Sequence, residues 1–186
     1  MSEQTTNQGI VLEDGQLLCQ LTEKPKKASG KEQNLQSVIT MLNEEYGFAL
    51  DAMARDFSIT YEDPETGNNK RQKVELVVFD KDHAHEQDYI IRMCAVQDEK
   101  TKETDKKKGP DATLKDLLWI PENSEFGLWT NGLQYFYFQR EEDKYGNDEI
   151  VDIADFPGEG EDLEDLDRPD RSKGRVPAET SLKITF

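Results

Sequence analysis

Two histidines, His83 and His85, have a type and spacing that could hold a metal ion. On an extended strand, residues two apart lie on one side, where both imidazoles could ligate zinc. The surrounding segment 80–88 is highly charged and predicts a loop, and the sequence positions no third ligand. We therefore predict that both histidines are exposed loop residues and that they bind no metal.

An aromatic run and a basic run could each contact nucleic acid, because bases stack on aromatic rings and lysines neutralise phosphates. The aromatic run lies on predicted strands that turn alternate side chains into a core, so core packing is the favoured interpretation. The basic run lies in a charged loop over 97–110 and is the predicted DNA-binding surface. The aromatic run consists of Trp129, Tyr135, Phe136, Tyr137 and Phe138, and the basic run of Lys100, Lys102, Lys106, Lys107 and Lys108.

The charge distribution restricts such contacts to a local patch. The 186 residues include 23 Lys and Arg against 40 Asp and Glu, a net charge of −17. Residues 141–170 hold 14 acidic and 2 basic side chains, a net charge of −12, which leaves −5 for the other 156 residues. The sequence therefore predicts an acidic C-terminal tail, and it opposes DNA binding by the chain as a whole.

The chain shows no signal for secretion or membrane insertion. No apolar run approaches the length of a membrane span, and the first nine residues are polar. The two cysteines, Cys19 and Cys94, are too few for a disulfide framework and are predicted to be free thiols. We predict a cytoplasmic protein that has no contact with a membrane.

Hydrophobic periodicity predicts the elements that position these residues. Apolar residues at helical spacing predict a helix over 31–46 that ends at Gly47. The dipeptide Asn131-Gly132 between two apolar runs predicts a β-hairpin. Further predictions are a hairpin around Asp14-Gly15 within 10–22, a linker over 23–30, strands over 57–61, 74–79, 89–96 and 150–153, and a second helix over 111–119.

Together these elements predict an α/β (α+β) domain with a mixed central sheet. The predicted boundaries are an N-terminal hairpin and linker over 1–30, the domain over 31–155, and an acidic tail or linker over 156–186. Past residue 156 the chain lacks periodicity, and we expect either disorder or an extended segment.

The order of elements resembles the N-terminal nuclease domain of type I restriction enzyme R subunits. Related N-terminal regions of N-6 adenine DNA methylase proteins are similar. The resemblance covers residues 31–155 and is best in the strand over 74–80 and in the segment over 126–132. It implies a PD-(D/E)XK nuclease core, with a mixed central sheet flanked by helices.

In that family a strand aspartate and a following Glu-x-Lys bind Mg²⁺ and activate the attacking water. The matching positions here are Glu75, Arg92 and Cys94. Arginine cannot ligate Mg²⁺ and a thiol cannot replace an ammonium, so the resemblance implies a degenerate site. A half-exposed Arg92 paired with Glu75 would occupy the former metal position.

A shifted register offers a second set of site residues. Asp98-Glu99-Lys100 reads as Asp-x-Lys, and with Glu75 or Asp80 it could complete an active Mg²⁺ site. It lies where the apolar strand has already given way to the charged loop, and a loop positions metal ligands poorly.

Three functions remain open at this point. The preferred function is a nuclease-like module of a restriction-modification protein, inactive as a nuclease, that positions DNA or docks against a downstream domain or subunit. The second is an active Mg²⁺-dependent endonuclease, and the third is an acidic DNA mimic that inhibits another protein. No cofactor is expected, except Mg²⁺ if the nuclease site is intact.

Overall fold

The computed structural model describes residues 4–6 and 9–171. Within these residues the chain forms a small sheet, an α-helix and a large sheet. The small sheet consists of β1 (Gln4–Thr6), β2 (Gly9–Leu12), β3 (Gln16–Leu18) and β4 (Pro25–Lys27), and the helix is α1 (Gly30–Glu44). The large sheet consists of β5 (Met53–Glu62), β6 (Asn69–Phe79), β7 (Ile90–Val96), β8 (Phe126–Thr130), β9 (Tyr135–Glu142) and β10 (Asp148–Ile153).

The small sheet confirms the N-terminal hairpin and corrects the linker. β2 and β3 pair antiparallel across a turn in which Asp14 and Gly15 both have positive φ. Such angles favour glycine and are tolerated by aspartate. The predicted linker over 23–30 instead contains β4, which pairs with β3. Its lysines and proline are typical of a short edge strand, where charge and a missing N–H are tolerated.

Helix α1 forms close to where its periodicity predicts it. Ser29 is the N-cap residue, and its hydroxyl accepts a hydrogen bond from the backbone N–H of Glu32. The helix ends two residues before the predicted end, and Gly47 follows with a φ of 77°. Its apolar stripe is buried against the large sheet.

The large sheet has the strand order β10-β9-β8-β7-β6-β5. Neighbouring strands are antiparallel except β7 and β8, which are parallel. A parallel pair needs a crossover connection, and residues 97–125 provide it. The strands predicted over 57–61, 74–79, 89–96 and 150–153 are all present, most of them longer than predicted.

The predicted second helix is helical but is not an α-helix. Residues Asp111–Lys115 form a π-type turn, and Asp116–Trp119 continue as a 3-10 turn. This segment places three of its own side chains in the core, those of Leu114, Leu117 and Leu118. Short helical turns of this kind serve as connectors.

Both faces of the large sheet are covered. Helix α1 packs on one face, in a core that includes Leu76, Cys94 and Leu128. The helical turns over 111–119 cover the other face, in a core that includes Val77 and Trp129. None of the described helices is long and apolar enough to span a membrane.

Candidate functional site

Glu75 lies on β6 with its carboxylate occupied by two donors. Lys31 Nζ, in the first turn of α1, lies 2.9 Å from Oε1. The backbone N–H of Val96, at the end of β7, donates to Oε2 over 3.3 Å. The side chain is 15 % exposed. Both carboxylate oxygens of Glu75, which stands at the position of the family's strand aspartate, therefore bind groups of the protein itself.

Arg92 lies on β7 opposite Val78 of β6 and is 8 % exposed. Its guanidinium donates from Nη2 and Nε to the carbonyl oxygen of Pro157, over 2.8 and 3.3 Å. A third hydrogen bond runs from Nη1 to the carbonyl oxygen of Ile91, over 2.8 Å. Burial lowers the pKa of Arg92 to about 10, so the side chain keeps its charge at neutral pH.

Three aromatic rings enclose the Arg92 guanidinium. The centroids of Phe48, Phe126 and Phe156 lie 5.6, 4.5 and 5.3 Å from its central carbon. Cation–π contacts of this kind stabilise a partly desolvated cation. The expected half-exposed Arg92 paired with Glu75 is therefore wrong, because Arg92 is buried among rings and carbonyls while Glu75 pairs with Lys31.

Cys94 lies opposite Leu76 and is fully buried in the α1-side core. Burial raises the pKa of its thiol to about 12, against the opposing effect of the Arg92 charge. The residue therefore packs as a small neutral hydrophobe. Both Cys94 and Cys19 are free thiols, as predicted.

The structure separates Asp80 from the rest of the second set of residues, whereas Glu75 accepts from the N–H of Val96, two residues before Asp98. Asp80 follows the end of β6 beside the start of β7, with its N–H bonded to the Tyr89 carbonyl. Asp98 follows the opposite end of β7, at a separation of roughly 20 Å along the strands. Its carboxylate accepts hydrogen bonds from the backbone N–H of Lys100 and the hydroxyl of Thr101, at 3.0 and 3.3 Å.

Among residues 4–6 and 9–171, no group of three His, Cys, Asp or Glu side chains has a geometry that could hold a metal ion. His83 and His85 are exposed, as predicted. His83 stacks on Tyr89 at 4.5 Å, and His85 stacks on Phe79 at 4.3 Å.

The loop over 97–110 is anchored to the sheet and presents its lysines to solvent. The carbonyls of Thr101 and Lys108 accept hydrogen bonds from Asn131 Nδ2 and Trp129 Nε1, each over 2.8 Å. The carboxylate of Asp105 accepts two backbone N–H groups of the loop. The exposed lysines are Lys100, Lys102, Lys106, Lys107 and Lys108.

The aromatic run packs into the protein. Trp129, Tyr137 and Phe138 are buried, and Tyr135 and Phe136 are partly buried against the two cores. These rings offer no exposed stack for bases, which agrees with the favoured interpretation of the run as core.

A C-terminal strap, defined as residues 154–171, folds back over the α1-side core. The prediction for this part of the chain is disorder or an extended segment, whereas the strap contains a 3-10 turn over Leu163–Asp165 and packs on the domain. Phe156 is fully buried, with its ring centroid 5.2 Å from those of both Tyr46 and Tyr137. Asp155 accepts a hydrogen bond of 2.5 Å from the Tyr46 hydroxyl.

Arg168 fastens the strap at its far end. Its Nε donates to Asp155 over 2.9 Å, and its Nη2 donates to the Phe156 carbonyl over 3.0 Å. The guanidinium also lies over the Tyr46 ring, 3.9 Å from the centroid. Sequence reasoning missed this segment, because one aromatic residue and one arginine within an acidic stretch give no periodic signal. Residues 172–186 of the predicted tail lie outside the described residues.

A family model for the N terminus of the type I restriction enzyme R protein matches residues 31–157. The chain belongs to this family. The match spans Glu75, Arg92 and Cys94, so all three positions implied by the resemblance lie within it. No curated protein and no solved structure gives a significant match.

The R-protein N-terminal domain in this chain extends physically beyond the matched span. The match ends at Pro157, whose carbonyl binds Arg92. Arg168 lies 11 residues further along and holds the same part of the strap in place. The part of the strap beyond the match is therefore packed against the family domain.

Proposed function

We propose that this chain is a nuclease-like module of a type I restriction-modification protein that has lost its metal site. The parent protein would be an R subunit or a related N-6 adenine DNA methylase. The order of elements supports a PD-(D/E)XK core. The antiparallel strands β5, β6 and β7 follow α1, and a helical connection then leads to β8, parallel to β7.

The contact between Arg92 and Pro157 carries this proposal. Mg²⁺ needs converging oxygen ligands of negative or neutral charge. Here a guanidinium stands at the position of the second carboxylate and uses its donors on a backbone carbonyl. The remaining carboxylate, Glu75, is neutralised by Lys31. Each of the two family positions is thus already engaged by the protein itself, Glu75 by a lysine and Arg92 by a backbone carbonyl.

What remains is a role in holding DNA or a partner within a larger complex. The anchored lysine loop supports DNA positioning, since five exposed cations on a fixed loop can neutralise phosphates in spite of the net charge of −17. The docked strap supports a docking role, because it gives the domain a defined C-terminal surface.

Titration with Mg²⁺ and Mn²⁺ tests the loss of the metal site. We expect calorimetry to show no binding at ion concentrations up to about 10 mM. This concentration is well above the dissociation constant of a functional carboxylate site. Supercoiled plasmid incubated with the protein and either ion should stay intact. Glu75→Gln is the control, and it should behave like the unsubstituted chain. Binding or cleavage that Glu75→Gln removes would contradict the proposal and favour the active endonuclease.

Binding of duplex DNA tests the role of the lysine loop. At low salt we expect the triple substitution Lys106→Gln, Lys107→Gln and Lys108→Gln to weaken binding about tenfold, measured by fluorescence anisotropy. The slope of log affinity against log salt should become shallower by up to about 3, since each lost phosphate contact contributes about 0.9.

A matched control separates this surface from overall charge. Lys24, Lys81 and Lys144 are exposed lysines outside the loop, and changing them to glutamine alters the net charge by the same amount. If both triple variants bind DNA equally, the loop has no special role, and docking becomes the favoured function.

A further inference from the structure

Strand β10 forms an open edge of the large sheet. It pairs with β9 on one side and has no neighbour on the other among the described strands. On the opposite edge, β5, a side chain caps the backbone at Thr60. The Gln87 amide accepts from the N–H of Thr60 over 2.8 Å and donates to its carbonyl over 2.9 Å. Unprotected edges are where an added strand can pair.

The pairing pattern identifies which backbone groups of β10 point outward. The N–H of Arg140 donates to Glu125, on the β8 side of β9, over 2.8 Å. Arg140 therefore turns its backbone groups away from its partner Ile150. By alternation, the N–H and C=O groups of Asp148, Ile150 and Asp152 point away from the sheet. Residues 149, 151 and 153 make the bonds to β9.

Carboxylates surround this edge. Asp148, Glu149 and Asp152 on β10 are exposed, as are Glu141 and Glu142 on β9. The other three residues of β10, Ile150, Val151 and Ile153, are apolar and partly buried. An added strand would therefore meet backbone donors and acceptors flanked by negative charge.

A cavity of about 260 Å³ lies beside the end of β10. Ile153 and Ala154 form one side of it, and Leu163 and Leu166 of the strap form part of the rest. Its size and partly apolar lining suit one aliphatic side chain. Asp155 and Asp170 add carboxylates to its lining, together with Arg168.

We propose that β10 receives an extended, lysine- or arginine-containing segment of a partner protein as a seventh strand of the sheet. Backbone hydrogen bonds would hold the segment, and its basic side chains would face the carboxylates. A second copy of this chain is a poor occupant. Antiparallel pairing of two β10 strands about Ile150 would place Asp148 opposite Asp152, and like charges directly opposite destabilise a sheet.

A peptide pair tests this proposal on the full chain. The probe is a fluorescent, end-capped octapeptide that alternates lysine and valine, measured by anisotropy at about 0.15 M salt, where long-range attraction is screened. We expect saturable binding, with slowed hydrogen exchange at the amides of Ile150 and Asp152. The first control peptide has glutamate in place of lysine, and the second carries N-methyl groups on all of its internal backbone nitrogens, so that neither edge can donate to a neighbouring strand.

The second control keeps the charge and removes the ability to pair as a strand. We expect both control peptides to bind at least about tenfold more weakly. Equal binding by the N-methylated peptide would show attraction to the acidic surface alone and would overturn the proposal. Failure of the lysine–valine peptide to bind would also overturn it.

Substitutions at Asp152 provide a second test. Asp152→Pro removes an outward N–H and leaves the bonds to β9 in place, and proline is tolerated at such a position. Asp152→Asn removes the same charge and keeps the N–H. We expect Asp152→Pro to weaken binding at least about tenfold and Asp152→Asn only two- to threefold, roughly. Equal effects would contradict strand addition, and the peptide controls still decide the matter if Asp152→Pro fails to fold.

Discussion

Replacing Phe156 with alanine is expected to lower the free energy of unfolding by about 3–5 kcal/mol. The ring is fully buried between Tyr46, Tyr137 and Phe126, and it closes the aromatic surround of Arg92. Its removal would leave a cavity and expose a buried cation to water. Urea denaturation measures the stability, and limited proteolysis should show faster cleavage within the strap.

The matched control for this prediction is Leu163→Ala in the same strap. Leu163 is 38 % exposed, so its truncation should cost less than about 1 kcal/mol. A similar small cost for both variants would mean that the strap is not packed on the domain. A large loss of stability for Phe156→Ala, with a small one for Leu163→Ala, would establish the strap as part of the domain core.

Changing Arg55 to methionine is expected to destabilise the protein by about 2–3 kcal/mol. Arg55 on β5 donates two hydrogen bonds to the Glu32 carboxylate of α1, over 2.5 and 2.8 Å. Its Nη1 also lies 3.4 Å from Cys19 Sγ. The two charged side chains are 11 % and 10 % exposed, so removing one would strand the other in a partly desolvated position. Chemical denaturation at pH 7 measures the loss.

Two further variants show whether the pair itself is responsible. Lys73 and Asp56 form an exposed pair at 3.9 Å, and Lys73→Met should change stability by less than about 0.5 kcal/mol. Adding Glu32→Gln to Arg55→Met should recover part of the lost stability, since the stranded charge is gone. No recovery would indicate that lost packing of the Arg55 side chain dominates.

The same ion pair predicts a dependence of stability on pH. Burial raises the pKa of Glu32, but hydrogen bonds from Arg55 and Gln36 outweigh it and hold the pKa below the ordinary value of 4.5. The unfolded state therefore binds the proton more readily. The stabilisation is complete above about pH 4.5 and is lost as the pH falls through the folded-state pKa. The difference between Arg55→Met and the unsubstituted chain should shrink over that interval.

Local signals were sufficient to predict most of the elements. Asn131-Gly132 predicted its hairpin, and the structure shows why the dipeptide fits. The side-chain oxygen of Asn131 accepts hydrogen bonds from the backbone N–H groups of Leu133 and Gln134. Gly132 has a φ of 91°, which favours glycine. The stripe of α1 was equally clear. Both signals act within a few residues, so the sequence alone carries them.

The candidate site depended on contacts that no local pattern contains. The resemblance identified Glu75, Arg92 and Cys94 as the positions to inspect, but not what each one binds. Arg92 meets a carbonyl 65 residues later in the chain, and Glu75 meets a lysine 44 residues earlier. Strand periodicity gives the face of a side chain, whereas the identity of a distant partner follows only from the complete fold.

The strap can pack on the domain only late in the synthesis of this protein. Tyr46 bonds to Asp155, which lies 109 residues later in the chain, and Arg168 must follow before the strap is fastened. At ribosomal rates of about 5–20 residues per second, roughly 5–20 s separate the two ends of that contact. During this interval Tyr46, two residues after the end of α1, lacks the Phe156 ring that later packs on it. A chain that stops at Pro157, where the family match ends, would never acquire Arg168, so we expect such a fragment to aggregate more readily than one extended to residue 171.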